Sequence, residues 1–149
     1  MNGELIVRTL QPADRTQWAT LWDGYLTFYK TALSPEITDI TFARFFDPLE
    51  PMHALVAEQN GKLIGLVHYM LHRSTWAKHN YCYLEDLFVD PNIRGKGVGR
   101  ALISAVTDAA RAAGSSRVYW ITHETNTTAQ TLYNKVAERP GFTQYRIKF

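Results

Sequence analysis

The chain holds one cysteine, Cys82, which excludes an intramolecular disulfide and agrees with a reducing compartment such as the cytoplasm. No apolar run approaches the roughly 18 residues that span a bilayer, and the opening MNGELIVRTLQPAD lacks the apolar stretch of a secretory signal. No membrane association is expected. The formal net charge of +2 is too small to build the basic face that duplex nucleic acid demands, so no nucleic-acid partner is expected either. The five histidines lack ligand spacing; His68 and His72 are four apart but fall in a strand pattern, and no metal is expected. No repeat, low-complexity tract or linker divides the sequence, so residues 1–149 are expected to form a single domain.

What is present is periodic. Glu4 to Thr9 reads as a short strand. Trp18, Leu21, Trp22, Tyr25, Phe28 and Tyr29 recur at three- and four-residue steps, which predicts a helix from about Ala13 to Lys30 with one aromatic face. That face packs a core, or its Phe28–Tyr29 end walls a substrate pocket. Ser34-Pro35 breaks the helix, and a second short helix is expected near Asp39 to Phe46. Met52 to Glu58 and Lys62 to Leu71 read as strands joined at Asn60-Gly61, a pair suited to a tight hairpin turn. The second of these is apolar on both faces and should be central. Tyr81 to Val89 is the next strand. Val98, Leu102, Ile103 and Val106 line a helix ending near Gly114. Arg117 to Thr122 is a strand, a helix follows from Thr125 or Asn126, and Phe142 to Phe149 alternates as a final strand. The expected order is β-α-α-β-β-β-α-β-α-β, an α/β (α+β) fold.

The densest chemistry lies between Tyr81 and Ala113. Two adjacent acids, Glu85 and Asp86, stand in an apolar strand. Arg94-Gly95-Lys96-Gly97-Val98-Gly99-Arg100 then puts three glycines and three cations in seven positions before a helix. A helix start with glycines directs free N–H groups and the positive dipole end at an anion, which is how a backbone holds phosphate. A P-loop is excluded because Arg100 and Ala101 stand where Lys and Ser/Thr belong. A dinucleotide fingerprint is excluded because the glycines are spaced G-x-G-x-G and follow antiparallel strands late in the chain.

The remaining pattern, [RQ]-x-x-G-x-[GA], is met by Arg94, Gly97 and Gly99. With the turn Leu87-Phe88-Val89-Asp90-Pro91 and the segment Asn126-x-x-Ala129-x-x-Leu132-Tyr133-x-Lys135, the chain resembles the GNAT superfamily of acetyl-CoA-dependent N-acetyltransferases over essentially its whole length. YLEDLFV and VYWITHETN look like the branch of polyamine acetyltransferases and a yeast acetyltransferase of histones and polyamines.

The resemblance implies a GNAT fold, a central, mostly antiparallel mixed sheet flanked by helices, with acetyl-CoA as cosubstrate. It implies transfer of the acetyl group to a primary amine by direct attack, most simply on a small amine such as a polyamine or amino acid. The alternatives are a protein or histone lysine, and a non-catalytic acyl-CoA-binding module. Backbone N–H groups from Gly95 to Arg100 would take the pyrophosphate, with Arg94, Lys96 and Arg100 adding charge. Leu87, Phe88 and Val89 would line the pantetheine arm between two splayed parallel strands, at a bulge in the first. Asn126, Ala129, Leu132, Tyr133 and Lys135 belong to the second acetyl-CoA motif, with Asn126 bonding the pantetheine or capping its helix. Glu85 is the expected base, because an alkyl ammonium must lose a proton before it attacks. Asp86 either attracts a cationic substrate or is a structural acid with a nearby partner. Tyr133 is the expected acid for the departing thiolate. Cys82 reads as a small packed residue.

The chain departs from the family pattern near its end. LYNKVAERPGF is longer between Lys135 and Gly141 than the L-Y-x-K-x-G-F form. There is room for one last strand where relatives have a hairpin, and a homodimer paired through the C-terminal strand is expected.

Overall fold

The computed structural model describes residues 3–93 and 95–149. Five strands form one sheet in the order β1-β2-β3-β4-β5: β1 (Ile6–Thr9), β2 (Met52–Gln59), β3 (Lys62–His72), β4 (Tyr81–Val89) and β5 (Val118–Tyr119). Neighbours among β1 to β4 are antiparallel, and β5 runs parallel to β4. β3 is central, as its two apolar faces require. Asn60 and Gly61 turn β2 into β3 with φ of 54° and 75°, the left-handed pair a tight hairpin needs.

Helices α1 (Arg15–Phe28) and α2 (Pro35–Arg44) cover one face, and α3 (Val98–Ala112) and α4 (Thr127–Val136) the other. The aromatic repeat buries Trp18, Leu21 and Trp22 of α1 against Val56, Leu66 and Phe88. The apolar stripe of α3 buries Leu102, Ile103 and Val106 against Ile64, Val67 and Leu84. Two glycines let the helices close on the sheet. A Cβ on Gly24 would stand 2.9 Å from the Phe88 ring, and one on Gly65 3.0 Å from Leu102 and 3.2 Å from Val98. Arg8 clamps β1 to the turn before α1, through two bonds to Asp14 of 2.8 and 2.9 Å and one to Glu58 of 3.0 Å.

Three expectations need correction. Ser34-Pro35 starts α2 and does not end α1, which closes at Phe28 ahead of a left-handed Lys30: the Ser34 hydroxyl accepts from the Ile37 N–H at 3.3 Å and Pro35 takes the first helical position. β5 is two residues long, not the six of Arg117 to Thr122, because the chain leaves β4 after Tyr119. Phe142 to Phe149 forms no strand; its alternating Phe142, Tyr145, Ile147 and Phe149 are exposed. Alternation supplies a face, but a strand also needs a hydrogen-bonding neighbour, and within one chain this segment has none. No helix among the described residues is long and apolar enough to cross a membrane.

Candidate active site

The site begins with a break in strand register. His68 pairs with Asp86 and Tyr69 with Leu84, so Glu85 is an extra residue on β4. Side chains normally alternate across a sheet; a bulge resets the alternation. Leu84 and Leu87 therefore both reach the α3 side, while the consecutive acids Glu85 and Asp86 both line one cavity on the α1 side. That cavity holds about 190 Å³, with Trp22, Phe45, Met52, His68 and Met70 among its walls.

The two acids have different surroundings. Asp86 is buried, and its Oδ2 takes a bond from His68 Nδ1 at 2.9 Å. The other nitrogen of His68, Nε2, lies 3.0 Å from Trp18 Nε1. An indole N–H can only donate, so Nε2 accepts and the proton of the neutral ring sits on Nδ1. The hydroxyl of Tyr25 also faces Asp86; burial first and that carboxylate next raise its pKa above the usual phenol range. Asp86 thus has a bonded partner, a histidine, and also stands in the cavity wall. Glu85 keeps an exposed edge, yet the protein withdraws enough water from its carboxyl to raise its pKa. The negative charge of Asp86 adds to the rise, and a bond from the Tyr83 hydroxyl opposes it.

β4 and β5 pair only at Cys82–Val118 and Tyr83–Tyr119. From Leu84 onward, β4 has no strand partner on that edge among the described residues, and its backbone is open to an extended, amide-bearing ligand. Beyond the parting, α4 brings up Tyr133, half-buried, with its ring edge-on to Trp120 at 5.4 Å. Burial pushes the Tyr133 hydroxyl up to about 12, with a further contribution from Tyr29 at the end of α1. Tyr133 belongs to the α3-side cluster, whereas Tyr29 packs its ring, tilted, against Tyr25 at 4.9 Å on the α1 side. The gap between β4 and β5 is where the two faces of the sheet meet.

The glycine loop leads into α3 as expected. Gly95 and Gly97 have φ of 87° and 78°, and Gly97 caps the helix in the left-handed conformation. Ala101 N–H bonds Gly97 O at 3.0 Å, the first bond of the α-helical ladder, and the first-turn N–H groups ahead of it point out of the helix end. A Cβ on Gly99 would meet Leu132 at 3.5 Å and Val89 at 3.9 Å, so α4 and β4 converge on the start of α3. Left-handed glycines, a helix start and an open strand edge in succession fit a pyrophosphate followed by an extended pantetheine arm.

Other expected residues fall as follows. Leu87, Val89, Val98, Leu132 and Tyr133 share the α3-side cluster. Phe88 turns to the opposite face, so only its backbone lies on the open edge. Lys96, Arg100 and Lys135 are exposed; Ala129 is half-buried on α4; Phe28 and Tyr29 stand half-exposed at the end of α1. Asn126 occupies the capping position of α4 without a side-chain cap, and its amide donates to Thr122 Oγ1 at 3.4 Å. Arg94 lies outside the described residues. Sequence reasoning missed His68, Tyr25 and Tyr83 as neighbours of the acids, and Trp18 behind His68. His68 and Asp86 meet only through β3–β4 pairing, and no local pattern signals it. Among the described residues no group of three His, Cys, Asp or Glu side chains could hold a metal. A larger hollow, about 270 Å³, lies beside β5 between α3 and the end of α4 and holds neither acid.

Residues 18–137 match the model of the acetyltransferase (GNAT) family. The chain is 38% identical over 148 residues to D-amino-acid N-acetyltransferase HPA3 of Saccharomyces cerevisiae, covering 98% of this chain and 92% of that one. It is 34% identical over 95 residues to thialysine N-epsilon-acetyltransferase of Sus scrofa, covering 58% and 55%. Among solved structures, ribosomal-protein-alanine N-acetyltransferase from Brucella melitensis superposes with a TM-score of 0.80 at 21% identity, covering 98% and 100%. AAC(6')-Iy bound to a bisubstrate analog superposes with a TM-score of 0.85 at 17% identity, covering 98% and 99%; both likenesses are of fold.

Proposed function

The chain belongs to the GNAT acetyltransferase family, and from that premise we propose that it acetylates a primary amine of a small molecule by direct attack in a ternary complex, with Glu85 as base and Tyr133 as acid. The observation that carries the reading is the β4 bulge, which turns Glu85 and Asp86 into one cavity beside the open strand edge. Bound acetyl-CoA supplies the activated acyl group. Gly95 to Arg100 hold its pyrophosphate, Leu87 to Val89 its pantetheine, and Asn126, Ala129, Leu132 and Lys135 form the wall across the gap. Glu85 takes a proton from the acceptor ammonium; its raised pKa brings it closer to its task than an ordinary carboxylate. As the carbon–nitrogen bond forms and the carbon–sulfur bond breaks, the Tyr133 hydroxyl gives its proton to sulfur, and the second proton shed by the new amide nitrogen restores the Tyr133 hydroxyl. Its pKa of about 12 keeps that proton in place across the working range. Phe28 and Tyr29 border the acceptor's entrance.

An amino acid or polyamine is the acceptor we favour. The relatives named for D-amino acids and thialysine support the first, and the paired acids support any cationic amine. The test is thiol release from acetyl-CoA with 1,5-diaminopentane, spermidine, D- and L-lysine and a lysine peptide. Turnover with the small amines at low millimolar concentration is expected. Turnover with the peptide alone would replace this reading with protein acetylation, and none at all would leave an acyl-CoA-binding module.

The protein is further proposed to work as a homodimer in the cytoplasm. The short β5 edge, the hollow beside it and the exposed apolar residues from Phe142 to Phe149 support pairing of two copies through their C-terminal segments. The lone buried thiol of Cys82 supports a reducing compartment.

A further inference from the structure

We propose that His68 is a positioning residue for the acceptor: locked in one tautomer by Trp18, it fixes the Asp86 carboxylate in the cavity wall as the anionic partner of the acceptor's ammonium group. The inference rests on the acceptor site proposed above and assigns it two residues that do not touch the reacting atoms.

The chain of bonds has one direction. Trp18 Nε1–H donates to His68 Nε2 at 3.0 Å, and His68 Nδ1–H donates to Asp86 Oδ2 at 2.9 Å. Trp18 is 0% exposed and His68 1%, so water competes for neither bond. Trp22 and Phe45 hold the imidazole between them, with ring centroids 5.2 and 4.6 Å away. A histidine free to change tautomer would offer Asp86 a lone pair instead of a proton in one of its two neutral forms. Here Trp18 excludes that state, because it would place an indole N–H against an imidazole N–H.

The result is a buried carboxylate whose bonded partners among the described residues are neutral donors. Among the described residues no Lys or Arg lines the cavity, and the one basic side chain within ion-pair distance of Asp86 is this histidine, whose ring Trp18 holds neutral. A buried anion without a countercharge is costly. A cationic acceptor supplies the missing charge on entering. That separates the acids by role: Asp86 is held still by its neighbours and takes the charge, and Glu85, bulged toward solvent, takes the proton.

The experiment is steady-state kinetics of the full chain with 1,5-diaminopentane and D-lysine as acceptor probes, together with coenzyme A affinity and melting temperature for each variant. His68→Leu removes both bonds and is expected to raise the acceptor KM about ten- to a hundredfold, the scale of a lost hydrogen bond to a charged group. Its kcat should change less than about threefold and its coenzyme A affinity not at all. His68→Asn keeps a donor toward Asp86 while losing the acceptor for Trp18. It should melt lower yet keep KM within about threefold of the parent. Trp18→Phe removes only the N–H, keeps a ring in place, and should raise KM about three- to tenfold. In an Asp86→Asn background, His68→Leu and Trp18→Phe should raise KM no further. KM rises of equal size with and without Asp86, or KM tracking melting temperature through His68→Asn, would reduce His68 to a core residue and overturn the inference. If neither probe is acetylated although coenzyme A binds, the acceptor site fails and the inference with it. Turnover with an unchanged KM in His68→Leu sinks the inference alone.

Discussion

Replacing Glu85 by Gln keeps the side chain's size and removes its basicity. An alkyl amine has a pKa near 10.4, so at pH 7.4 about one molecule in a thousand is free base, a deficit of about 4 kcal/mol. A positioned carboxylate recovers part of that deficit by accepting the proton within the site, and such bases contribute about 10²- to 10⁴-fold. The thousandfold deficit sets the ceiling, so Glu85→Gln should lose about 10²- to 10³-fold in kcat/KM at pH 7.4. By pH 10 more than about a quarter of the amine is already free base, and the loss should shrink below about tenfold. The wild-type profile should show an acid limb that the variant lacks. Burial and the charge of Asp86 raise the Glu85 pKa, so that limb lies above the range of a free carboxylate. Asp86→Asn should move it to lower pH, because removing the neighbouring negative charge makes Glu85 easier to ionise. The native state also binds a proton at Glu85 more tightly than the unfolded chain does, so ionising it costs stability as pH rises through the raised pKa. Glu85→Gln should therefore melt no lower than wild type at neutral pH. The assay is thiol release from acetyl-CoA between pH 6 and 10.5, with calorimetry of the same preparations. A loss independent of pH, with a lowered melting temperature, would make Glu85 a structural acid and refute the mechanism.

Tyr133→Phe should lower kcat about ten- to a thousandfold while leaving coenzyme A affinity unchanged by calorimetry. Wild-type turnover should show no alkaline loss from this group below about pH 11, given its pKa of about 12. Asp14→Ala removes the buried partner of Arg8 and should destabilise the fold by about 2 kcal/mol, or about 4–8 °C in melting temperature. The Arg8 guanidinium holds the Asp14 pKa down. Its stabilisation is therefore present above the unfolded pKa and lost as pH falls through the folded one, which acid titration of both forms will read. Ile147→Asp places a charge in the exposed apolar C-terminal segment and should convert a dimer to a monomer in light scattering at micromolar concentration. A wild-type monomer under the same conditions would refute the pairing.

The local patterns were legible where one element's own residues decide its form. The α3 stripe, the Asn60-Gly61 turn and the glycine loop are written in neighbouring positions, and each appears where expected. The final strand was not legible, because alternation from Phe142 to Phe149 says which way side chains point and nothing about what they pair with. The dipeptide Ser34-Pro35 has the composition of a helix stop and serves as a start, since a cap and a break use the same residues.

The sequence by itself determined that two acids stand side by side ahead of a phosphate loop, and that a helix ends its aromatic face at Phe28 and Tyr29. Adjacent residues on a regular strand point to opposite faces. Only the pairing of β4 with β3 decided otherwise, by leaving Glu85 unmatched between Leu84 and Asp86. The same pairing set His68 against Asp86, and the packing of α1 set Trp18 behind His68. Bulges and contacts across 18 or 50 positions arise from how strands and helices stack. The fold turned two neighbouring carboxylates into one buried against a histidine and one with an exposed edge.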